Sequence, residues 1–261
     1  MARLEIIVRR IQQKEQESHP LKEKEIPDLT ITHQLSIMRS RELMASSGHY
    51  ETLEGLLPEM RSDLKVGGFD EPTGYFKPMC FVPIVIIHNR LVDTPPVSWE
   101  DLLDRWWKGK IGASSPDILR KLVTFYARRF FGKEADRLTS NVVFDGLPID
   151  VNLKVDDGRL DVGIVPLPFS RSSRNRNVSI CWPREGAFSL PQVLIHKKGA
   201  GDDALRISEY LLSDDVQRYI SDVGVMIPVN PNVPLPHEVE ENGLNLFWNG
   251  WDWFIAGINE V

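Results

Sequence analysis

Two adjacent serines, Ser114 and Ser115, are the residues whose type and position best suit chemistry in this chain. They follow a short apolar run and precede a predicted helix. The first N–H groups of a helix have no partner inside it, so serine hydroxyls beside them can bind an anion or another polar group. The pair does not resemble a nucleophile elbow, and the chain contains no GxSxG motif. It therefore predicts binding of a polar ligand rather than hydrolysis.

Other side chains that could do chemistry are scattered along the chain. The six histidines form no HExxH motif and no short metal-ligand spacing, and there is no GxGxxG or GxxxxGK[ST] loop. We therefore expect no enzyme activity, no cofactor and no histidine-based metal site.

The two cysteines, Cys80 and Cys181, are too few for a disulfide framework and lack the pattern of a zinc ribbon. The simplest expectation is that both are small buried hydrophobic residues. A disulfide between them, or a soft-metal site that adds Met79, remains open.

Composition excludes some classes of partner. The 31 basic and 37 acidic residues give a net charge of −6 without a basic stripe, so nucleic acid is not an expected partner. Hydrophobic residues make up 42% of the 261 residues, which is enough for one large domain or two lobes. No apolar run is long enough to span a bilayer.

The stretch around the serines predicts the elements that position them. Residues 81–89 form a nearly continuous apolar run with β-branched members, which indicates a buried strand. Ser98 and Asp101 have the spacing of a capping box and predict a helix start. Residues 111–113 predict a short strand that leads into the serines, and residues 117–131 predict an amphipathic helix.

Three further segments carry predictions. Residues 50–60 have the apolar spacing of an amphipathic helix. The polar segment 170–177 contains three arginines and is either a solvated loop or an arginine cluster that attracts an anion. The tail holds several aromatic residues, which fit a terminal helix packed on a lobe better than an aromatic ligand platform. They are Trp248, Trp251, Trp253 and Phe254.

The order of several motifs resembles the extracellular solute-binding proteins of ABC importers. The similarity is strongest to the branch that binds iron(III), with relatives for polyamines, phosphonates and thiamine. The motifs are SWEDLL at 98–103, WKGKI at 107–111, VDDGRLDVGIV at 155–165, PREGA at 183–187 and the whole of 204–236.

The resemblance implies a type II periplasmic-binding-protein fold, in which two α/β lobes are joined by two crossover strands. Lobe one would comprise residues 1–84 plus 187–261, and lobe two residues 85–186. The implied function is capture of a small anionic or oxygen-rich solute, or of a metal complex, between the lobes and its delivery to an ABC permease.

The resemblance also implies which residues face the solute. Ferric-binding members place two adjacent tyrosines after the strand that ends here at Val165, where this chain has Leu167-Pro168-Phe169, so binding through a tyrosine pair is not expected. His33 falls at a position that faces the solute, although it could instead cap the following helix. The full candidate set is His33, Gln34, Tyr75, Ser114, Ser115, Phe169, Arg171 and Glu185.

Location and assembly stay open at this stage. The family implies a periplasmic or extracytoplasmic protein, but the first residues do not read as a signal peptide, so a cytoplasmic location is an alternative. The strand and helix that usually precede Leu4 are missing, which is compatible with truncation, or with divergence in which a homodimer fills the place. The runner-up interpretation is a cytoplasmic or degenerate homologue that senses a ligand without transport.

Overall fold

A computed structural model describes residues 26–115 and 117–259. The expectations for the first residues, including the signal-peptide question and the start of lobe one, lie outside that part of the chain. The strands of the described residues form one mixed sheet. They are β1 (Leu29–Thr32), β2 (Tyr50–Glu51), β3 (Lys77–Asn89), β4 (Ile111–Ala113), β5 (Val142–Phe144), β6 (Val162–Pro166), β7 (Val178–Cys181), β8 (Ala187–Lys197), β9 (Ile227–Pro228) and β10 (Leu246–Phe247).

Helices cover the sheet, and short 3-10 turns connect several elements. The α-helices are α1 (Leu35–Arg39), α2 (Arg41–Ser47), α3 (Ser62–Val66), α4 (Asp117–Phe131), α5 (Ala135–Asn141), α6 (Pro148–Asp156), α7 (Asp202–Leu211), α8 (Asp214–Asp222), α9 (His237–Glu241) and α10 (Trp251–Ile258). The 3-10 turns are Glu100–Leu103, Arg105–Trp107, Gly132–Glu134 and Leu167–Ser172.

Strand β3 organises the sheet, whose main strand order is β1-β8-β3-β6-β4-β5. Its first half pairs antiparallel with β8, and its second half pairs antiparallel with β6 and β7. The change of partner falls at Ile84, which is opposite both Phe188 of β8 and Pro166 of β6. The nearly continuous burial of β3 explains its unbroken apolar run, because both faces of the strand are covered.

The strands on both sides of Ile84 end toward the middle of β3. In the second half, β4 runs parallel to β5 and β6, and Pro166, the last residue of β6, lies level with Ile84. In the first half, Thr32 at the end of β1 pairs with Val193, while Leu29 at its start pairs with His196, farther from Ile84. The ends of β1, β4, β5 and β6 therefore point to one central zone, the region between the lobes.

Close packing fixes the strand that carries the serines. A Cβ atom on Gly112, in β4, would lie 2.4 Å from Cδ1 of Leu160 and 3.2 Å from Cγ1 of Val151 in α6. Real side chains cannot approach so closely, so only glycine lets α6 and the loop before β6 lie directly on β4.

Most of the predicted elements are confirmed. The predicted strand at 81–89 lies inside β3, and the amphipathic helix at 117–131 is α4. The capping box is present, since Ser98 N–H donates to Asp101 Oδ2 (3.0 Å) and Asp101 N–H donates to Ser98 Oγ (3.1 Å). It begins only a short 3-10 turn rather than a full helix.

The predicted helix at residues 50–60 is wrong. Residues Tyr50–Glu51 form β2, which pairs with the end of β8, and the chain then follows turns, with Gly55 at a positive φ of 71°. Of the three leucines that carry the apolar spacing, Leu53 and Leu57 are nevertheless buried, whereas Leu56 is exposed. The spacing therefore identified two of three core residues, but pairing with β8 and the turns that follow override the local helical pattern.

The aromatic tail packs as a terminal helix, as predicted. Trp248 and Trp251 are buried, and their Nε1–H groups donate to the carbonyls of Gly68 (2.9 Å) and Phe69 (2.8 Å). These two rings therefore do not form a ligand platform. The tail also contacts helix α4: the centroid of the Phe254 ring lies 5.5 Å from that of Phe125. It thus contacts both residue ranges assigned to the lobes, whose boundaries remain a prediction.

A stack of three rings lies where the chain returns from the second half to the first. Phe188 lies between Trp99, 3.8 Å away, and Tyr126, 4.3 Å away, measured between ring centroids and with nearly parallel planes. The Tyr126 hydroxyl donates to the carbonyl of Ser189 (2.7 Å). These contacts connect β8 firmly to the elements of the second half. None of the helices in the described residues is long and apolar enough to cross a membrane.

Candidate functional site

Ser114 lies directly after the carboxyl end of β4, beside the parallel strand ends of β5 and β6. Its side chain is completely buried, and its Oγ has no hydrogen-bond partner among the described residues. An unpartnered buried hydroxyl costs free energy, so it needs a compensating role. The residue lies at a strand end beside the start of α4, where helix N–H groups favour a polar ligand.

Ser115 differs from its neighbour because it is exposed and already engaged. Its N–H donates to the carbonyl of Gly146 (2.9 Å), and its hydroxyl approaches the same oxygen at 3.4 Å. These contacts link the end of β4 to the turn after β5. A direct role of Ser115 in ligand binding remains a prediction.

The acidic group that directly follows β5 at this end of the sheet is neutralised. Asp145 follows β5, and its N–H donates to the carbonyl of Ala113 (3.0 Å). Its carboxylate pairs with the ammonium group of Lys154 in α6. The hydrogen bond from Lys154 lowers the pKa of Asp145, so the carboxylate stays ionised and compensated near neutral pH.

His33 and Gln34 connect β1 to α1 at the corresponding end of the first half. Both are half-buried, and burial lowers the pKa of His33, which favours its neutral form. Gln34, not His33, is the residue that precedes the helix, and its carbonyl accepts from the N–H of Ile37 (3.2 Å). The alternative that His33 caps α1 is therefore wrong, while its contact with a solute stays a prediction.

Tyr75 and Phe169 are half-buried and pack against the hydrophobic core. Tyr75 lies just before β3, and Phe169 lies in the 3-10 turn that follows β6. Their proposed contact with a solute also stays a prediction.

Arg171, in the same turn as Phe169, is occupied by an internal carboxylate. Its Nε and Nη2 donate to Oε1 and Oε2 of Glu238, each at 2.8 Å. Its Nη1 approaches the carbonyl of Asp222, the last residue of α8, at 3.5 Å. Its forked donor set is therefore not free to receive an anion in this conformation.

The polar segment that follows Arg171 folds around a second internal carboxylate, Asp156. The Oδ2 atom of Asp156 accepts from the N–H groups of Arg174 (2.8 Å) and Asn175 (2.7 Å), and its Oδ1 accepts from that of Asn177 (3.0 Å). The Ser173 hydroxyl donates to Oδ1 as well. Burial alone would raise the pKa of Asp156, but these hydrogen bonds outweigh it and lower the pKa. The loop interpretation is therefore correct for the backbone of this segment.

Glu185 has a structural role at the return to the first half. Its Oε2 accepts from the N–H of Trp99 (3.1 Å), at the start of a 3-10 turn. The Nε1–H of Trp99 donates to the carbonyl of Gly186 (2.8 Å). Glu185 therefore helps to position the stacked Trp99 ring, and its contact with a solute remains a prediction.

The two cysteines are free and lie far apart. Cys80 is opposite Gln192, whereas Cys181 is opposite Ile86, six residues farther along β3. At about 3.3 Å per residue this offset is about 20 Å, so neither a disulfide nor a shared metal site is possible here. Burial raises the pKa of Cys80 to about 12 and that of Cys181 to about 11, which fits unreactive thiols.

A cavity of about 450 Å³ lies at the carboxyl end of β3, where Asn89, Asp93, Trp106 and Asp161 are among the residues that line it. Trp106 and Asp161 precede β4 and β6, whereas Ser114 follows the other end of β4. The ammonium of Lys110 lies 3.4 Å from the centroid of the Trp106 ring and 3.6 Å from Asp161 Oδ2. This cavity is therefore not the predicted site, and an internal cation already occupies its aromatic wall.

The long shared strand and the converging strand ends define a two-lobed binding protein of the type II periplasmic class. The chain belongs to the family of bacterial extracellular solute-binding proteins, which matches residues 24–255. Members of this family bind solutes and are not enzymes, so the predicted family, fold class and binding role are confirmed.

Solved structures share the fold at low sequence identity. An apo ferric ion-binding protein A from Pasteurella haemolytica superposes with a TM-score of 0.75 at 13% identity, covering 95% of this chain and 83% of its own. A ferric binding protein from Campylobacter jejuni also gives 0.75, at 16% identity, covering 97% and 86%.

A curated relative from Salmonella typhi is provisionally named a 2-aminoethylphosphonate-binding periplasmic protein. It is 28% identical over 166 residues, which cover 57% of this chain and 49% of the relative. The chain thus spans about half the length of the curated relatives that it matches.

Proposed function

We propose that this chain is the solute-binding component of an ABC importer and captures a small anionic or oxygen-rich solute between its two lobes. The observation that carries the proposal is the buried, unpartnered hydroxyl of Ser114 at the carboxyl end of β4. A hydroxyl in such surroundings binds an oxygen-rich ligand strongly, because water does not compete for it.

The arrangement of strand ends supports a site between the lobes. His33 and Gln34 follow β1 in the first half, and Ser114 follows β4 in the second. All three follow strands that end toward the middle of β3, so closure of the lobes would surround a solute from two sides. The neutral form of His33 adds a donor or acceptor without adding charge.

A phosphonate or phosphate group fits these donors better than a ferric ion does. The curated relatives carry a phosphonate in their names, and a tetrahedral oxyanion suits hydroxyl and N–H donors. The ferric-binding neighbours share the fold, but this chain has Leu167, Pro168 and Phe169 where that branch carries its tyrosine pair. The described residues also contain no group of three His, Cys, Asp or Glu side chains that could hold a metal.

Native mass spectrometry of the purified protein, compared with its denatured mass, tests this proposal first. A small additional mass that matches an oxyanion supports it, and the same spectrum reports any homodimer. Calorimetric titration with 2-aminoethylphosphonate, inorganic phosphate and ferric citrate then gives the specificity. Binding of ferric citrate alone would overturn the preference for an oxyanion, and binding of none of the three would remove its chemical basis.

Transport and ligand sensing share this binding step. Stimulation of the ATPase activity of a reconstituted cognate permease by the solute-loaded protein would support transport. Tight solute binding without any such stimulation would favour the sensor alternative.

A further inference from the structure

Arg171 and Glu238 belong to opposite halves of the molecule. Arg171 lies in the turn after β6, whose Ser170 carbonyl accepts from Asn152 Nδ2 (3.2 Å), so the turn is fixed to α6 in the second half. Glu238 lies in α9, and the segment before α9 is fixed to the first half, because Arg61 Nη1 donates to the carbonyl of Val233 (3.1 Å).

The contact between the two side chains has the geometry of a strong ion pair. The guanidinium donates two nearly equal hydrogen bonds of 2.8 Å to the two carboxylate oxygens, which is a forked arrangement. The Glu238 side chain is only 18% exposed, whereas that of Arg171 is 47% exposed. The third contact, from Nη1 to the Asp222 carbonyl, places the cation at the end of α8, where a helix favours positive charge.

The pair links the turn after β6 to α9. The turn that carries Arg171 directly follows the carboxyl end of β6, on the side where the strand ends of both halves converge. The stack of Trp99, Phe188 and Tyr126 connects the two halves at the chain return itself. The Arg171–Glu238 contact joins the turn after β6 to α9, so it must break if lobe separation moves that turn away from α9.

We propose that the Arg171–Glu238 pair is a latch that opposes separation of the two lobes, so that solute exchange requires its rupture. This inference goes beyond the proposed function, because it concerns lobe motion whichever solute is bound. A forked pair that is half exposed at the arginine shifts an open-to-closed equilibrium by about fivefold. Glu238 thereby sets how readily the binding region opens.

Hydrogen exchange by mass spectrometry, with no solute added, tests the latch even when opening is rare. Glu238→Gln should raise the exchange rate about fivefold in peptides covering both the 167–172 turn and the ends of β4 and β1. Arg171→Gln should do the same, and the double variant should equal either single one, because the same contact is lost. The charge exchange R171E/E238R should restore slow exchange only in part, because it places a carboxylate beside the Asp222 carbonyl at the end of α8.

Arg159→Gln is the matched control, since Arg159 makes an exposed ion pair with Asp157 inside the second half. It should leave exchange at the converging strand ends unchanged. Raising the salt concentration from about 0.05 M to about 0.5 M should speed exchange in the unmodified protein but not in Glu238→Gln.

Unchanged exchange in Glu238→Gln, or an increase confined to α9, would overturn the latch, since the pair would then act only locally. Neither result depends on solute binding, so failure of the latch and failure of the proposed function are distinguishable.

Discussion

Replacing Ser114 with alanine should change stability and solute affinity in opposite directions. The serine side chain is fully buried and its Oγ has no partner among the described residues, so the folded protein carries an unsatisfied polar atom. Such an atom costs about 1–3 kcal/mol, and alanine removes that cost while leaving a space of only one oxygen atom. We expect the free energy of unfolding to rise by about 1 kcal/mol.

Affinity should fall because the hydroxyl is lost to the solute. A hydrogen bond to a charged acceptor contributes about 1.5–3 kcal/mol, so the dissociation constant for an oxyanion should rise by about 10- to 150-fold. Urea unfolding without added solute measures the first effect, and calorimetric titration of the solute measures the second. Both measurements use the same purified variant, so a folding defect cannot be mistaken for a binding defect.

Ser115→Ala is the matched control, because Ser115 is exposed and its hydroxyl makes only a 3.4 Å contact with the Gly146 carbonyl. We expect it to change stability by less than about 0.5 kcal/mol, as for most surface substitutions, while its effect on affinity tests the predicted contact of Ser115 with the solute. A Ser114→Ala variant that is destabilised by more than 1 kcal/mol and binds with unchanged affinity would refute the reasoning, because the hydroxyl would then have a structural partner.

Three further predictions concern stability and reactivity. Asp156→Asn should lower the free energy of unfolding by about 2–4 kcal/mol in urea titrations, because buried N–H donors lose a charged acceptor. The control Asp157→Asn, at an exposed carboxylate, should lower it by less than about 1 kcal/mol. Equal effects of the two variants would contradict the role of the buried carboxylate. Burial lowers the pKa of His196 in the folded protein from its usual 6.5. As the pH falls through 6.5, the unfolded chain therefore binds more protons than the folded protein does. Stability should therefore be fully present above about pH 6.5 and fall at lower pH, less steeply in His196→Gln, as thermal melts at a series of pH values would show. Cys80 and Cys181 should react slowly with a thiol reagent in the native state and rapidly in urea, and fast native labelling of Cys80 would contradict its complete burial.

The sequence was sufficient for elements whose signal is local and strong. The apolar run of β3 reads as a buried strand because the strand is covered on both faces, and the three- and four-residue spacing of α4 matches its bounds. The same local rule failed at residues 50–60, where Leu53 and Leu57 are buried in turns, Leu56 is exposed, and Tyr50–Glu51 pair with the distant strand β8. Local spacing identifies which side chains avoid water, but it cannot show that a strand far along the chain supplies the backbone partner.

The partners of the charged residues could not be predicted for a related reason. Glu238 lies 67 residues from Arg171 along the chain, and Asp156 lies about 20 residues from the N–H groups that surround it. Neither separation has a sequence signature, because the pairing depends on how helices and turns meet in the folded protein. An arginine-rich segment therefore gave the same sequence signal for an anion site as for a self-satisfied loop.

These internal pairs restrict the chemistry left for a solute. Glu238 neutralises Arg171, and Lys154 neutralises Asp145 beside the end of β4. The N–H groups of the polar segment that point inward are used by Asp156. Among the described residues, Ser114 has a buried, unpartnered and uncharged hydroxyl directly after one of the converging strand ends. A site of this kind discriminates by hydrogen-bond geometry more than by net charge, so phosphate and a phosphonate of the same charge should differ in affinity, while added salt should weaken both only slightly.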